Sequence, residues 1–312
     1  MRFAIWGVGG VGGYVGARLV EAGHDVALIA RGAHLAEIQA SGLRVQSAKG
    51  DVSVRPALAA GDASSVGVVD CAIVAVKAWQ VPDVARALSP LIGAHTLVLP
   101  LQNGVEASDQ IAERIGSEHT LGGVAKIISF ISAPGAIRHV GADPGLVIGE
   151  LAGGASARVE SLRDALARCK GLSVEVSTDI RSALWQKFMF ITSWCSVGAV
   201  TRAPVGIVRR LPETRQLIEG SLLEMELVAL RSEVRLPPDV VATTLRFLDG
   251  LPADGTASMQ RDIAAGKPSE LHDLTGAVVR LGARLGIDTP VNRMLYAALL
   301  PLEQKARGEL SF

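Results

Sequence analysis

The chain has 312 residues, 49% of them hydrophobic, which is enough apolar surface for more than one buried core, so two domains are expected. Its 31 Lys and Arg balance its 31 Asp and Glu, removing the field that would draw it to nucleic acid or an anionic membrane and leaving a small neutral or anionic ligand as the expected partner. Three widely separated cysteines, Cys71, Cys169 and Cys195, suggest neither a disulfide framework nor a CxxC metal site; with no export signal and no apolar run of membrane-spanning length, a cytoplasmic protein is expected.

Residues 2–7 form a short apolar run ending in glycine, the pattern of a buried strand followed by a turn. A helix is expected over 14–22, with Gly23 at its C-terminal cap, then a second buried strand over 25–30. The alternation continues through a helix at 33–40, a strand at 71–76, a helix at 81–91 and a strand at 96–101, which implies a parallel, doubly wound sheet. Shorter alternating stretches at 126–132, 136–140 and 146–148, separated by Pro and Gly, suggest antiparallel strands extending that sheet. From about residue 179 helical periodicity takes over, at 182–200, 213–233, 238–248, 268–285 and 291–300. The expected organisation is an α/β domain over 1–178 followed by an all-helical domain over 179–312.

Gly7-Val8-Gly9-Gly10-Val11-Gly12 matches G-x-G-x-x-G. In this pattern the first glycine permits a tight turn, the second lets backbone approach a pyrophosphate, and the third lets helix pack on strand. In a chain with 34 glycines the bare pattern is weak, but here it follows an expected strand and opens an expected helix, whose N-terminal amides and dipole suit phosphates. Dinucleotide binding is therefore expected. The second strand ends Ile29-Ala30-Arg31-Gly32, without the acid that would take an NAD ribose hydroxyl. Arg31 offers a guanidinium to a 2'-phosphate instead, favouring NADP, with an ordinary solvated arginine as the plain alternative.

Lys187 lies in Trp185-Gln186-Lys187-Phe188-Met189-Phe190-Ile191, a segment too apolar to expose a whole face. Such a lysine can donate a proton to a carbonyl oxygen as hydride reaches its carbon, or it can simply snorkel to a helix surface. Pro268 is placed to open a helix with Glu270 in its first turn, where favourable interaction with the helix dipole would by itself explain a carboxylate. Lys77 and Asn103 follow strands at the carboxyl ends where open parallel sheets bind ligands. The six histidines show no metal-ligand spacing and read as structural, and Cys195 reads as a packed thiol.

Taken together, the glycine motif, Arg31, Val76-Lys77-Ala78-Trp79-Gln80, Gln102-Asn103-Gly104-Val105, Trp185-Gln186-Lys187-Phe188, Ser258-Met259-Gln260-Arg261-Asp262 and Pro290-Val291-Asn292 resemble the ketopantoate reductase family across nearly the whole chain and in the same order. That resemblance implies a Rossmann NADP-binding domain with a helical domain like that of 6-phosphogluconate dehydrogenase, an active site in the cleft between them, and NADPH reduction of a 2-oxo acid to a 2-hydroxy acid, with ketopantoate as the leading substrate. By the same resemblance Lys187 would be the general acid, Glu270 would hydrogen-bond the same region, Asn103 and Ser258 would hold substrate, and Lys77, with Asn103, would lie close to the cofactor. A homodimer is compatible with it.

Three positions depart from the family pattern. Ile191 stands one turn after Lys187, Val205 follows Pro204, and Gly255 precedes Ser258 by three, each where well-characterised members carry asparagine. Losing contacts to substrate hydroxyls points to a less polar ketone, 2-oxo acid or imine as the second reading, because a site built around a hydroxyl discriminates strongly by that contact. A non-catalytic NADP-binding sensor is the third, against which the retained Lys187 and Glu270 stand.

Overall fold

The computed structural model describes the backbone of residues 1–312 and the side chains of all but Ala142. The chain divides into two compact units, one of Met1–Gln102 with Glu106–Ala183 and one of Asn103–Val105 with Leu184–Phe312. Among the described residues no helix is long and apolar enough to cross a membrane.

The first unit runs β1 (Arg2–Trp6), α1 (Gly10–Glu21), β2 (Asp25–Ile29), α2 (Gly32–Ser41), β3 (Leu43–Gln46), β4 (Val52–Val54), β5 (Leu58–Ala60), β6 (Cys71–Val74), α3 (Val81–Ala87), β7 (Leu97–Pro100), α4 (Ala107–Ile115), β8 (Leu121–Ala133), β9 (Ala136–Glu150), α5 (Ala157–Leu166) and β10 (Ser173–Val176). A parallel five-stranded sheet has the order β5-β2-β1-β6-β7. It is buried on both faces: Phe3 and Ile5 point into one core, Ala4 and Trp6 into another. This two-sided burial is why its strands read as continuous apolar runs rather than as alternation.

Among the described residues, the stretches expected to extend that sheet lie in a second sheet instead, and Thr120, just before β8, bridges to Val98 of the first. Beyond this bridge, β8 and β9 form one long hairpin in that second sheet, ordered β10-β9-β3-β4 with β8 on β9. The expected strands at 136–140 and 146–148 are one strand, because β9 pairs with β8 along its length while its first residues pair with β3 and its last with β10. Helix α1 lies between the two sheets: a Cβ on Gly16 would meet Leu28 and Ile5 of the parallel sheet, and one on Gly13 would meet Ile137 of the hairpin. Four glycines in twelve residues make a poor helix by propensity, and packing against both sheets offsets that cost.

The helical unit takes over within α6 (Ile180–Thr201) and continues with α7 (Val205–Val208), α8 (Pro212–Arg231), α9 (Val240–Asp249), α10 (Ser258–Ala264), α11 (Thr275–Leu285) and α12 (Pro290–Ala306). Its core gathers Phe188, Met189, Ile218, Met225, Leu271 and Leu299. Helix α11 starts at Thr275, so the helix expected from Pro268 is corrected: residues 267–270 are irregular and Glu270 is in no helix's first turn. There the Ser269 hydroxyl accepts the Leu271 N–H at 3.2 Å, a local turn that competes with helix, and the fully buried Glu303 of α12 holds Ser269 in place by taking its N–H at 3.1 Å and its hydroxyl at 2.5 Å.

Candidate active site

Residues Gly7 to Gly12 connect β1 to α1 at the carboxyl end of the parallel sheet, and β1 is the strand that pairs with both β2 and β6, the place where such sheets accept ligands. Gly7 has φ +98°, a conformation other residues rarely adopt, and a Cβ there would lie 2.7 Å from the Val76 nitrogen. On Gly12 it would lie 2.1 Å from the Gly7 carbonyl oxygen and 2.9 Å from Ala75 Cβ, so this glycine lets helix pack on strand. On Gly10 it would lie 2.0 Å from the Ser129 carbonyl oxygen, because β8 crosses the start of the helix. Gly9 differs: a Cβ there meets nothing within 4 Å. The open side of the loop is therefore at Gly9, the N-cap of α1, where no side chain caps the helix and no acid occupies its first turn. Val8 is buried and Val11 half-buried, fixing the loop from within. Uncapped amides, a positive dipole end and open space at Gly9 fit a dinucleotide pyrophosphate.

Arg31 is the N-cap of α2, exposed, and pairs with no carboxylate among the described residues; α2 has no acid in its first turn. Lys77, beyond β6, is exposed, with its Nζ 5.6 Å from the centre of the Trp79 ring. Sequence reasoning read every histidine as structural, yet His34 sits beside this region: its Nδ1 accepts the Gly135 N–H at 3.0 Å, and burial lowers its pKa, the Val8 backbone partly opposing. Gln102, which the sequence offers only as the first residue of the Gln102-Asn103-Gly104-Val105 motif, is 5% exposed and donates through Nε2 to the Val74 and Val76 carbonyls, tying down the chain that leads to Lys77.

In the helical unit Asn103 Nδ2 donates to Glu270 Oε2 at 3.1 Å, a pairing that joins residues far apart in sequence. Glu270 is only 4% exposed and Asn103 half-buried. Lys187 is half-buried on α6 between the buried Trp185 and Phe188, whose rings meet edge-on at 5.5 Å. Ser258 is half-buried as the first residue of α10. Of the three departures, Ile191 shares the helix face of Lys187 one turn on and is half-buried. Val205 is 1% exposed, and its N–H donates to the Gly255 carbonyl at 3.0 Å, so two departures adjoin and one of them is core. Cys195 is fully buried, its thiol pushed up to about 12 by desolvation, as suits a packed group.

The family model for ketopantoate reductase PanE/ApbA matches residues 3–153, and that for its C-terminal part matches residues 179–303. A 2-dehydropantoate 2-reductase of Mesorhizobium japonicum is 33% identical over 93% of this chain and 94% of its own. The oxidoreductase YkpB of Bacillus subtilis is 29% identical over 96% of this chain and 98% of its own. A crystal structure of a PanE/ApbA family ketopantoate reductase from Ralstonia eutropha JMP134 superposes with a TM-score of 0.90 at 33% identity, covering 98% of this chain and all of that one. With the whole pattern matched from the glycine loop to α12, the chain belongs to the ketopantoate reductase family and is an NADP-dependent oxidoreductase.

Proposed function

We propose that this protein reduces 2-dehydropantoate (ketopantoate) to pantoate. The observation that carries the reading is the buried carboxylate of Glu270, held by Asn103 in the unit that also supplies Lys187 and Ser258. A carboxylate is costly to bury and persists where partners use it. NADPH, when bound, supplies the hydride. The α1 N-terminus at Gly9 would hold its pyrophosphate, Arg31 would hold its 2'-phosphate, and Lys77 would add positive charge beyond β6. Lys187 donates a proton to the carbonyl oxygen as that oxygen gains negative charge, and is reprotonated from water. Asn103 and Glu270 hold the reacting carbonyl region, and Ser258 hydrogen-bonds the substrate carboxylate. The product is the 2-hydroxy acid, with one hydride and one proton added across C=O.

A second reading, a less polar 2-oxo acid or ketone, is favoured by the placement of Val205 in the core against Gly255. Following NADPH consumption with ketopantoate, smaller branched 2-oxo acids and simple ketones separates the two: a clear preference for ketopantoate supports the first, and its absence supports the second. Lys187→Ala is expected to lower turnover about 100-fold or more with NADPH binding intact. Binding of NADPH without oxidation by any carbonyl compound would leave the protein a sensor.

A further inference from the structure

The reading of Glu270 as a group acting at the carbonyl makes its position critical, yet it lies in an irregular segment with no helix to fix it. What fixes it is Ser269, whose polar groups are all engaged. Its N–H meets both oxygens of Glu303 at 3.1 Å, and its hydroxyl donates to Glu303 Oε2 at 2.5 Å while accepting the Leu271 N–H at 3.2 Å. Its carbonyl accepts from Arg307 Nη2 at 3.1 Å, and Arg307 Nε holds Glu303 Oε1 at 2.7 Å. Ser269 and Glu303 are both 0% exposed. The peptide groups on either side of Glu270 are therefore pinned, and its own carbonyl is taken by the amides of Asp273 at 3.1 Å and Leu274 at 2.9 Å.

A buried charge that only filled space would be a poor choice, since an apolar residue packs there at lower cost. A carboxylate has what this segment needs: two acceptors that receive a backbone N–H and a hydroxyl in fixed directions. We infer that Glu303, anchored by Arg307 and acting through Ser269, is a positioning residue that sets the placement of the Glu270 carboxyl group. The inference rests on the proposed role of Glu270. Reacting groups tolerate little displacement, and a shift of about 1 Å can cost 100-fold in rate.

Ser269→Ala and Glu303→Gln test this with little change in volume. Each is measured for kcat, KM for the 2-oxo acid, NADPH affinity and melting temperature, alone and combined with Glu270→Gln. The expectation is a fall in kcat of about tenfold or more in each single variant, with NADPH affinity within about twofold. Combined with Glu270→Gln, neither change should lower kcat by more than about twofold further, because the group they position is already gone. If Ser269→Ala and Glu303→Gln lower kcat equally with and without Glu270, or leave it unchanged while Glu270→Gln lowers it, the positioning role is overturned and the role of Glu270 stands. If Glu270→Gln itself leaves kcat unchanged, both fall. Should Glu303→Gln fail to fold, Ser269→Ala carries the same comparison.

Discussion

At the glycine loop of the N-terminal unit the candidate site is made of backbone, whereas in the helical unit it is made of buried and half-buried side chains, and what supports each differs accordingly. Around Gly7 to Gly12 the working surface is a set of amides at a helix start, and the requirement on the sequence is the absence of side chains where Ala75 and Ser129 come close. Around Glu270 the requirement is the reverse: carboxylates are present in the interior and every one needs partners, as Glu303 has in Ser269 and Arg307. Backbone sites depend on local shape, and side-chain sites depend on contacts made from far along the chain.

The largest effect expected is from Gly12→Ala set beside Gly9→Ala. A Cβ on Gly12 meets the Gly7 carbonyl oxygen at 2.1 Å, and backbone on a packed strand end cannot yield cheaply, so the N-terminal unit should lose about 3 kcal/mol or more. Gly9→Ala meets nothing within 4 Å, so stability should hold while NADPH affinity falls, as read by melting curves and fluorescence titration. Equal losses of stability would mean that the two glycines are not divided between packing and binding.

Helix α12 offers the matching break in the other unit. Glu224, 8% exposed on α8, accepts the N–H groups of Val291 at 2.7 Å and Asn292 at 3.0 Å and the Asn292 Nδ2 at 2.7 Å. Glu224→Ala strands the two backbone donors at this helix N-terminus, while Asn292 Nδ2 keeps the Ser221 carbonyl at 3.3 Å, and should cost about 3 kcal/mol in denaturant unfolding. NADPH affinity, a property of the glycine loop, should stay within twofold or so of its original value.

How much of each site could be read from sequence follows the same division. The glycine spacing gave away the cofactor loop because a turn, an approach and a packing contact each demand the same residue type. It was silent on Gly10, a variable position in the pattern, whose need for glycine comes from Ser129 of a hairpin much later in the chain. In the helical unit Pro268 predicts a helix start, whereas Ser269 forms a local turn to Leu271 and is held there by Glu303, 34 residues beyond it. Nothing in Leu302-Glu303-Gln304 distinguishes that glutamate from a solvated one. Lys187 and Glu270 take their proposed roles from the ordered resemblance to a family, and the residue that hydrogen-bonds Glu270, Asn103, comes from another part of the chain altogether.

A smaller effect sharpens the cofactor side. Arg31 is exposed at the start of α2 and pairs with no carboxylate among the described residues, so Arg31→Ala should leave stability unchanged. A charge-assisted contact to a phosphate is worth about 1.5–3 kcal/mol, so NADPH affinity should fall roughly tenfold to 100-fold while NADH affinity hardly moves. Equal weakening of both would remove Arg31 as the reader of the 2'-phosphate.

The smallest expected effect depends on pH and links the hairpin to the glycine loop. His34 accepts the Gly135 N–H at the turn between β8 and β9, the hairpin whose Ser129 backbone covers Gly10. Burial is the main reason its pKa lies below the usual 6.5, so the folded unit holds the neutral ring while an unfolded chain takes up a proton more readily. The sign follows from that difference: the stability due to neutral His34 is complete above pH 6.5 and is lost as pH falls through that value toward the lowered folded one. Protonation at Nδ1 also removes the acceptor for Gly135, loosening the hairpin where it covers the loop. Melting temperature and NADPH affinity should therefore both decline between pH 7 and about 5, and decline less in His34→Gln, whose acceptor does not titrate. Parallel pH curves for the two proteins would show that the hairpin's acid sensitivity, and any coupling to the glycine loop, arises from other groups.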